Sequence, residues 1–136
     1  MLVKKLKTIS QDPPKTVWEK RKESFLEFLE DKLIVTTNNF IHILRLNNIV
    51  YIKALGNYSK IYCAGKDVIV SSKTLKCFED VLINKGFLRI HSNAIVNMSK
   101  IKGIEKNGVL SIVLEDGTKL PVSRAYKKAL FSFLIK

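Results

Sequence analysis

Five short stretches of the sequence gather side chains able to hold a phosphate or a base edge: Asn57, Ser59 and Lys60; Lys73 and Lys76; His91, Ser92 and Asn93; Lys100 and Lys102; Ser123, Arg124, Lys127 and Lys128. Lys and Arg neutralise phosphates, the Arg fork and the Asn amide match base edges in the grooves, and Ser does either job less specifically. Any one lysine is most simply a solvated surface charge. The whole chain, however, carries 24 Lys plus Arg against 12 Asp plus Glu, a formal net charge of +12. An excess of that size points to a polyanionic partner.

Catalytic chemistry has little to stand on. His42 sits in an apolar strand pattern, and His91 lies in Arg-Ile-His-Ser-Asn without a second ligand at metal spacing. The six glycines are isolated in turns, so no phosphate-cradling loop exists. Asp67, Glu115 and Asp116 lie in or beside turns, and Glu79 and Asp80 on a helix, so no carboxylate pair is placed for acid/base work. His91 and Ser92 are adjacent in an extended segment and point to opposite faces, which disfavours a nucleophile pair. Cys63 and Cys77 lack CxxC spacing and read as small core residues in a reducing compartment. A non-enzymatic protein with no cofactor and no metal is therefore expected. No stretch reaches the roughly 18 to 20 apolar residues of a membrane-spanning helix, and Met1 to Lys7 lacks the apolar run of a signal peptide, so a cytoplasmic location is expected.

The charge is unevenly distributed. Residues 1–32 hold eight basic and six acidic side chains, whereas residues 33–136 hold 16 and six, a net +10. Two parts follow: residues 1–32, an N-terminal tail and amphipathic helix for packing or dimerisation, and residues 33–136, a basic domain. Asp12-Pro13-Pro14 breaks preceding structure, Thr16 and Glu19 form a capping-box signature, and a helix from Val17 to Asp31 follows, with Val17, Trp18, Phe25, Leu26, Phe28 and Leu29 gathered on one side.

From Leu33 the period changes to that of strands, with Ile, Val, Tyr and Thr in short runs between Asn, Gly and Asp. Strands are expected at 33–37, 40–46, 49–55, 60–64 and 68–71. Their links are too short for parallel crossovers, so an antiparallel meander is expected. Leu75, Phe78, Val81 and Leu82 then recur at helical spacing, with Ser72 or Thr74 as cap and Gly86 as stop. Further strands are expected at 87–91, 101–105, 109–115 and 118–122, with an irregular segment at 92–99, and a last helix at 125–135 carries Leu130, Phe131, Phe133 and Leu134. The fold class is mainly β: antiparallel sheets packed in an elongated sandwich with one inserted helix, plus N-terminal and C-terminal helices.

Three segments then carry a resemblance: Ala54-Leu-Gly-Asn-Tyr, Phe87-Leu-Arg-Ile-His-Ser-Asn-Ala-Ile-Val-Asn, and Pro121-Val-Ser-Arg. With Ser72-Lys-Thr-Leu and Lys100-Ile-Lys-Gly-Ile in matching order, the chain from about Leu33 to Ala129 resembles the LytTR family of bacterial DNA-binding domains. The resemblance implies a transcription regulator of the response-regulator effector type that presents loops, not a recognition helix, to double-stranded DNA. Carried over by position, it implies DNA contacts from Asn57, Ser59, Lys60, Ser92, Asn93, Lys100, Arg124 and Lys127, with Arg124 on guanine, Lys60, Lys100 and Lys127 on phosphates, and Arg89, His91 and Asn97 buttressing the loop. Ser59 and Ser92 depart from the residues common in the family, so base preference does not transfer. The segment of some 32 residues before the domain is too short for a receiver domain, so either a stand-alone regulator, the reading favoured, or a piece of a longer protein is expected, with a homodimer or a partner regulator engaged through the first helix. The alternative is a protein-interaction module of the same fold that titrates a homologous regulator.

Overall fold

The computed structural model describes residues 13–135, and expectations for residues 1–12 and 136 lie outside it. The described residues fall into two compact units that part between Lys32 and Leu33.

In the first unit, helix α1 (Val17–Leu29) starts as its cap dictates: Thr16 Oγ1 accepts from the Glu19 N–H at 3.1 Å, and the Thr16 N–H donates to Glu19 Oε1 at 2.9 Å. The helix ends at Leu29, short of the expected Asp31. There the Lys32 ammonium donates to the Phe28 carbonyl at 3.2 Å, lies 4.3 Å from the Phe28 ring centroid and pairs with Asp31 at 2.9 Å. None of its side chains is buried.

The second unit is built in layers around one antiparallel sheet. Strands β1 (Lys32–Thr37) and β2 (Phe40–Arg45) form a separate two-stranded sheet. The central sheet contains β3 (Ile49–Leu55), β4 (Tyr58–Cys63), β5 (Val68–Ser71), β6 (Phe87–His91) and β7 (Ala94–Asn97), in the order β5-β4-β3-β7-β6. Helix α2 (Leu75–Leu82) lies between β5 and β6 in sequence. Strands β8 (Ile101–Glu105), β9 (Ser111–Leu114) and β10 (Lys119–Pro121) make a three-stranded sheet, and α3 (Lys127–Leu134) closes the chain.

Antiparallel sheets, the inserted helix and the terminal helices agree with the fold class read from the sequence. The simple meander does not hold: β3 pairs with β7 across the intervening β4–β6 segment, with Tyr51 opposite Val96 and Ile52 opposite Ile95. Strand β7 occupies part of the segment expected to be irregular.

The two faces of β3, with the period of two broken by a bulge between Ile49 and Tyr51, explain the layering. Ile49, Ile52 and Ala54 join Leu33, Val35, Leu75, Phe78, Leu82, Phe87 and Ile95 in one core, which places α2 and the β1–β2 sheet on one face. Val50 and Tyr51 join Ala94, Val96, Ile112, Leu114, Leu120, Val122 and Leu130 in a second core, with the three-stranded sheet and α3 on the other face. Covered on both sides, the sheet buries Ile49, Ile52, Ile61, Ile90 and every residue of β7, and a fully buried Ile or Leu is worth about 1.5–3 kcal/mol. Asn97, at the end of β7, is the one buried side-chain amide among the described residues: its Nδ2 donates to the Ile49 and Leu46 carbonyls at 2.8 and 3.2 Å, and its Oδ1 accepts from the Ser99 N–H and hydroxyl at 3.0 and 2.8 Å. Of the thiols, Cys63 is half-buried, but Cys77 is exposed on the first turn of α2, correcting the expectation that both lie in the core.

Candidate nucleic-acid interface

Two-residue turns set one rim of the central sheet. Leu55 faces Tyr58 across Gly56-Asn57, and Gly56 takes φ +60°, the glycine-first pattern of a type II′ hairpin whose twist matches its strands. His91 faces Ala94 across Ser92-Asn93. Because Lys53 is also paired with Ala94, the two turns lie side by side, and the Ala54 N–H donates to the Asn93 carbonyl at 2.9 Å. Ser59 opposite Ser71 brings the exit of β5, residues 72–74, to the same rim. The Ser123 N–H donates to the Ile90 carbonyl at 2.9 Å, which fastens the short 3-10 turn Arg124–Tyr126 beside β6.

The rim therefore runs in the order 72–74, 56–57, 92–93, 123–128. With strands about 4.8 Å apart, five strands span about 19 Å, the rise of five to six base pairs.

Of the residues read from the sequence, Asn57, Ser92, Asn93, Arg124 and Lys127 are exposed on this rim, and Lys60 is half-buried just behind it. Two others sit elsewhere. Ser59 is fully buried, since alternation turns it with Ile61 into the core, and its hydroxyl donates to the Lys73 carbonyl at 2.8 Å. Its neighbour Ser71, also buried, accepts from the Lys73 N–H at 3.1 Å. Ser59 is thus not a surface contact; the two serines clamp both backbone groups of Lys73. Lys100 follows Asn97, the far end of β7, and lines a cleft with Cys63, Lys66 and Asp116 at the opposite end of the sheet. The structure does not bring it together with the others.

One basic residue was overlooked. Lys53 lies directly opposite Lys60, a half-buried like-charged pair of the kind that costs stability unless an anion sits between. The signal was available: a two-residue turn at Gly56-Asn57 fixes that register. Among the described residues, Lys53, Lys60, Lys73, Arg124 and Lys127 carry no ion pair, whereas Lys76 pairs with Asp80 at 3.2 Å and Lys119 with Glu105 at 2.9 Å.

The 92–93 turn is braced from behind. Arg89 donates to Glu79 Oε1 at 2.8 Å, to the His91 carbonyl at 3.2 Å and to the Ser92 carbonyl at 2.6 Å, and the Asn93 N–H donates to His91 Nδ1 at 3.3 Å. Among the described residues, no group of three His, Cys, Asp or Glu could hold a metal ion, and no helix is long and apolar enough to cross a membrane.

A layered antiparallel sheet thus carries braced turns and cations without ion pairs along one rim. The profile of the LytTr DNA-binding domain matches residues 39–135, and the chain belongs to that family, whose domains are DNA-binding effectors of transcription regulators. It is 30% identical over 107 residues to the sensory transduction protein LytT of Bacillus subtilis and 33% identical over 108 residues to LytT of Oceanobacillus iheyensis. These alignments cover 77% and 76% of this chain but 44% of each relative, so the chain spans less than half the length of the proteins it matches. A LytTr DNA-binding domain from Bacillus cereus superposes with a TM-score of 0.66 at 20% identity, covering 78% of this chain and 98% of that one, and shares the fold.

Proposed function

We propose that this protein is a sequence-specific, double-stranded DNA-binding transcription regulator that reads its site with the turns of one sheet rim. The observation that carries this is the convergence of Asn57, Ser92-Asn93 and Arg124 on a single rim of about 19 Å whose flanking cations are unpaired.

A major groove about 12 Å wide admits a two-stranded ribbon, and successive major grooves recur about 34 Å apart on one side of the duplex. The rim is shorter than that repeat, so for Asn57, on the β3–β4 turn, and Arg124, beyond β6, to enter two successive major grooves the duplex must bend toward the rim. Ser92 and Asn93, between them, face the intervening minor groove. Lys53, Lys60, Lys73 and Lys127 take phosphates.

Arg124→Ala should weaken binding to a site selected from random oligonucleotides by about 1–3 kcal/mol and relax preference at one base pair. With these four phosphate contacts, log affinity should fall with log salt at a slope of about −3.6. An unchanged footprint and affinity in the variant, or a flat salt response in the parent protein, would overturn the docking.

A second reading has one supporting observation. Trp18, Phe25 and Phe28 are exposed on α1, which suits a module that engages another regulator through that helix, with or without DNA.

A further inference from the structure

The cleft at the end of the central sheet away from the rim plays no part in the proposed docking. Its volume is about 530 Å³, within the roughly 300–1,000 Å³ of small-molecule pockets. Val50, Tyr51, Tyr62, Val68 and Leu114 give it apolar walls drawn from the central sheet and from β9. The Tyr51 and Tyr62 rings stack across β3 and β4, with 4.3 Å between centroids and 12° between planes, so two aromatic groups stand together as one wall. Both are only half-buried, and Val68 beside them is exposed.

The backbone on both sides of the cleft is pinned. The Cys63 N–H donates to the Asp67 carbonyl at 2.8 Å and closes the turn 64–66, in which Gly65 and Lys66 both take left-handed backbone, φ +83° and +71°. That conformation is uncommon for a residue with a side chain, and here it sets Lys66 on the cleft. On the other side the Glu115 N–H donates to the Lys100 carbonyl at 3.1 Å, tying the residue before β8 to the one after β9.

Charge decides what such a cleft takes. Lys100 is half-buried, and among the described residues neither Lys100 nor Lys66 has an ion pair. One rung along β3 and β4, on the same face as the tyrosines and about 7 Å from them, Lys53 stands opposite Lys60, also without ion pairs. The two acids on the cleft offset this only in part: Glu115 is exposed, and the Asp116 carboxylate accepts from the Thr118 N–H of its own turn at 2.9 Å. An ammonium drawn partly out of water without a counter-ion is unfavourable, and an anionic ligand relieves it.

We propose that this cleft binds a small planar aromatic carboxylate, its ring against the Tyr51–Tyr62 wall and its carboxylate on Lys100 and Lys66. Aromatic groups favour offset or edge-to-face contact with one another, and a carboxylate takes charge-assisted hydrogen bonds from ammonium groups. A neutral aromatic leaves both ammonium groups unpaired, and an aliphatic acid forgoes the ring contact. The site lies apart from the DNA-contacting turns, so it stands or falls independently of the DNA reading.

The test is an NMR titration of the isotope-labelled full chain with naphthoate up to about 5 mM, above a millimolar dissociation constant, with naphthamide and cyclohexanecarboxylate as controls. Naphthoate should shift, to saturation, the backbone amides of residues 50–51, 62–66, 100 and 114–116. Each control should bind about fivefold more weakly or worse, since one lacks the charge and the other the ring. Lys100→Gln should weaken naphthoate by about fivefold and leave naphthamide as in the parent protein, a pattern that general loosening of the fold does not give. Tyr62→Leu should weaken both aromatic ligands and spare cyclohexanecarboxylate. Thermal unfolding of each variant is the control for folding, and Lys100→Gln, which removes a charge without a partner, keeps the test decisive should Tyr62→Leu fail to fold. No saturable shifts, shifts confined to the rim, naphthamide binding as tightly as naphthoate, or Lys100→Gln binding naphthoate like the parent protein would each overturn the proposal.

Discussion

Arg89 binds the Glu79 carboxylate at 2.8 Å with one guanidinium nitrogen while another donates to the Ser92 carbonyl at 2.6 Å, so a helix on one face of the central sheet braces a turn at its rim. The Arg89 side chain is 17% exposed and that of Glu79 35% exposed, so the pair is shielded enough to matter more than an ordinary surface ion pair.

Arg89→Ala should lower unfolding stability by about 1–3 kcal/mol, measured by urea denaturation. It should also weaken specific DNA binding at temperatures where the variant remains folded, because the Ser92-Asn93 turn loses its brace. Arg89→Lys, which cannot reach all three acceptors with one ammonium, should recover little of the affinity.

In the proposed docking, the buried Ser59 hydroxyl can bear on DNA only through Lys73, whose carbonyl it holds. Ser59→Ala should cost about 1 kcal/mol of stability and lower affinity for all sequences alike, whereas Ser59→Thr overfills a site with no exposed surface and should destabilise further. Affinity in Ser59→Ala equal to that of the parent protein would show that Lys73 does not touch the duplex.

Lys53 and Lys100 separate the two ends of the sheet. Lys53→Gln relieves the repulsion with Lys60, so the free protein should be slightly stabilised while the salt slope of DNA binding falls by about one. Lys100→Gln, at the far end, should leave affinity and salt slope unchanged, as read by titration of labelled duplex at several salt concentrations.

Asn97→Ala should be the most damaging of the polar substitutions. It leaves the Leu46 and Ile49 carbonyls without their donor in a buried setting and frees the Ser99 N–H and hydroxyl, a loss of about 2–3 kcal/mol by denaturant titration.

Acid should loosen the start of α1. The Thr16 backbone N–H holds the Glu19 carboxyl below its usual range. A carboxyl depressed in the folded state stabilises above its unfolded value and loses that contribution as pH falls through the folded value. Helix content of α1 should thus be flat from neutral pH to about 5 and decline below it, the ordinary carboxylate range. Glu19→Gln should remove that component of the decline, measured by circular dichroism against the parent protein.

Among the described residues, most strands and the helices α2 and α3 were legible in the sequence because each has one buried face, which alternation or helical spacing records, and α1 was legible from its capping box and apolar stripe. Strand β7 was not, since Ala94, Ile95, Val96 and Asn97 are all buried and a strand covered on both sides leaves no period of two. The same blindness to a strand's facing misassigned Ser59, which local sequence placed in a loop and the register placed in the core. Lys100 was misplaced for a topological reason: its nearness in sequence to Asn93 hides the full length of β7 between them. Lys53 was recoverable, since counting back from Gly56-Asn57 pairs it with Lys60.

The insertion of β7 between β3 and β6 also governs how the domain is reached from the unfolded chain. β3, β4 and β5 can zip up from neighbouring residues, but the inner edge of β3 stays unpaired until a hairpin formed across Ser92-Asn93 docks onto it. That docking closes a long loop and defines the slow, entropically costly step of folding. Until it is complete, Tyr51, Ile52 and Lys53 offer an open strand edge to any other chain, so substitutions that delay the β6–β7 hairpin favour aggregation during synthesis before they measurably alter the finished domain.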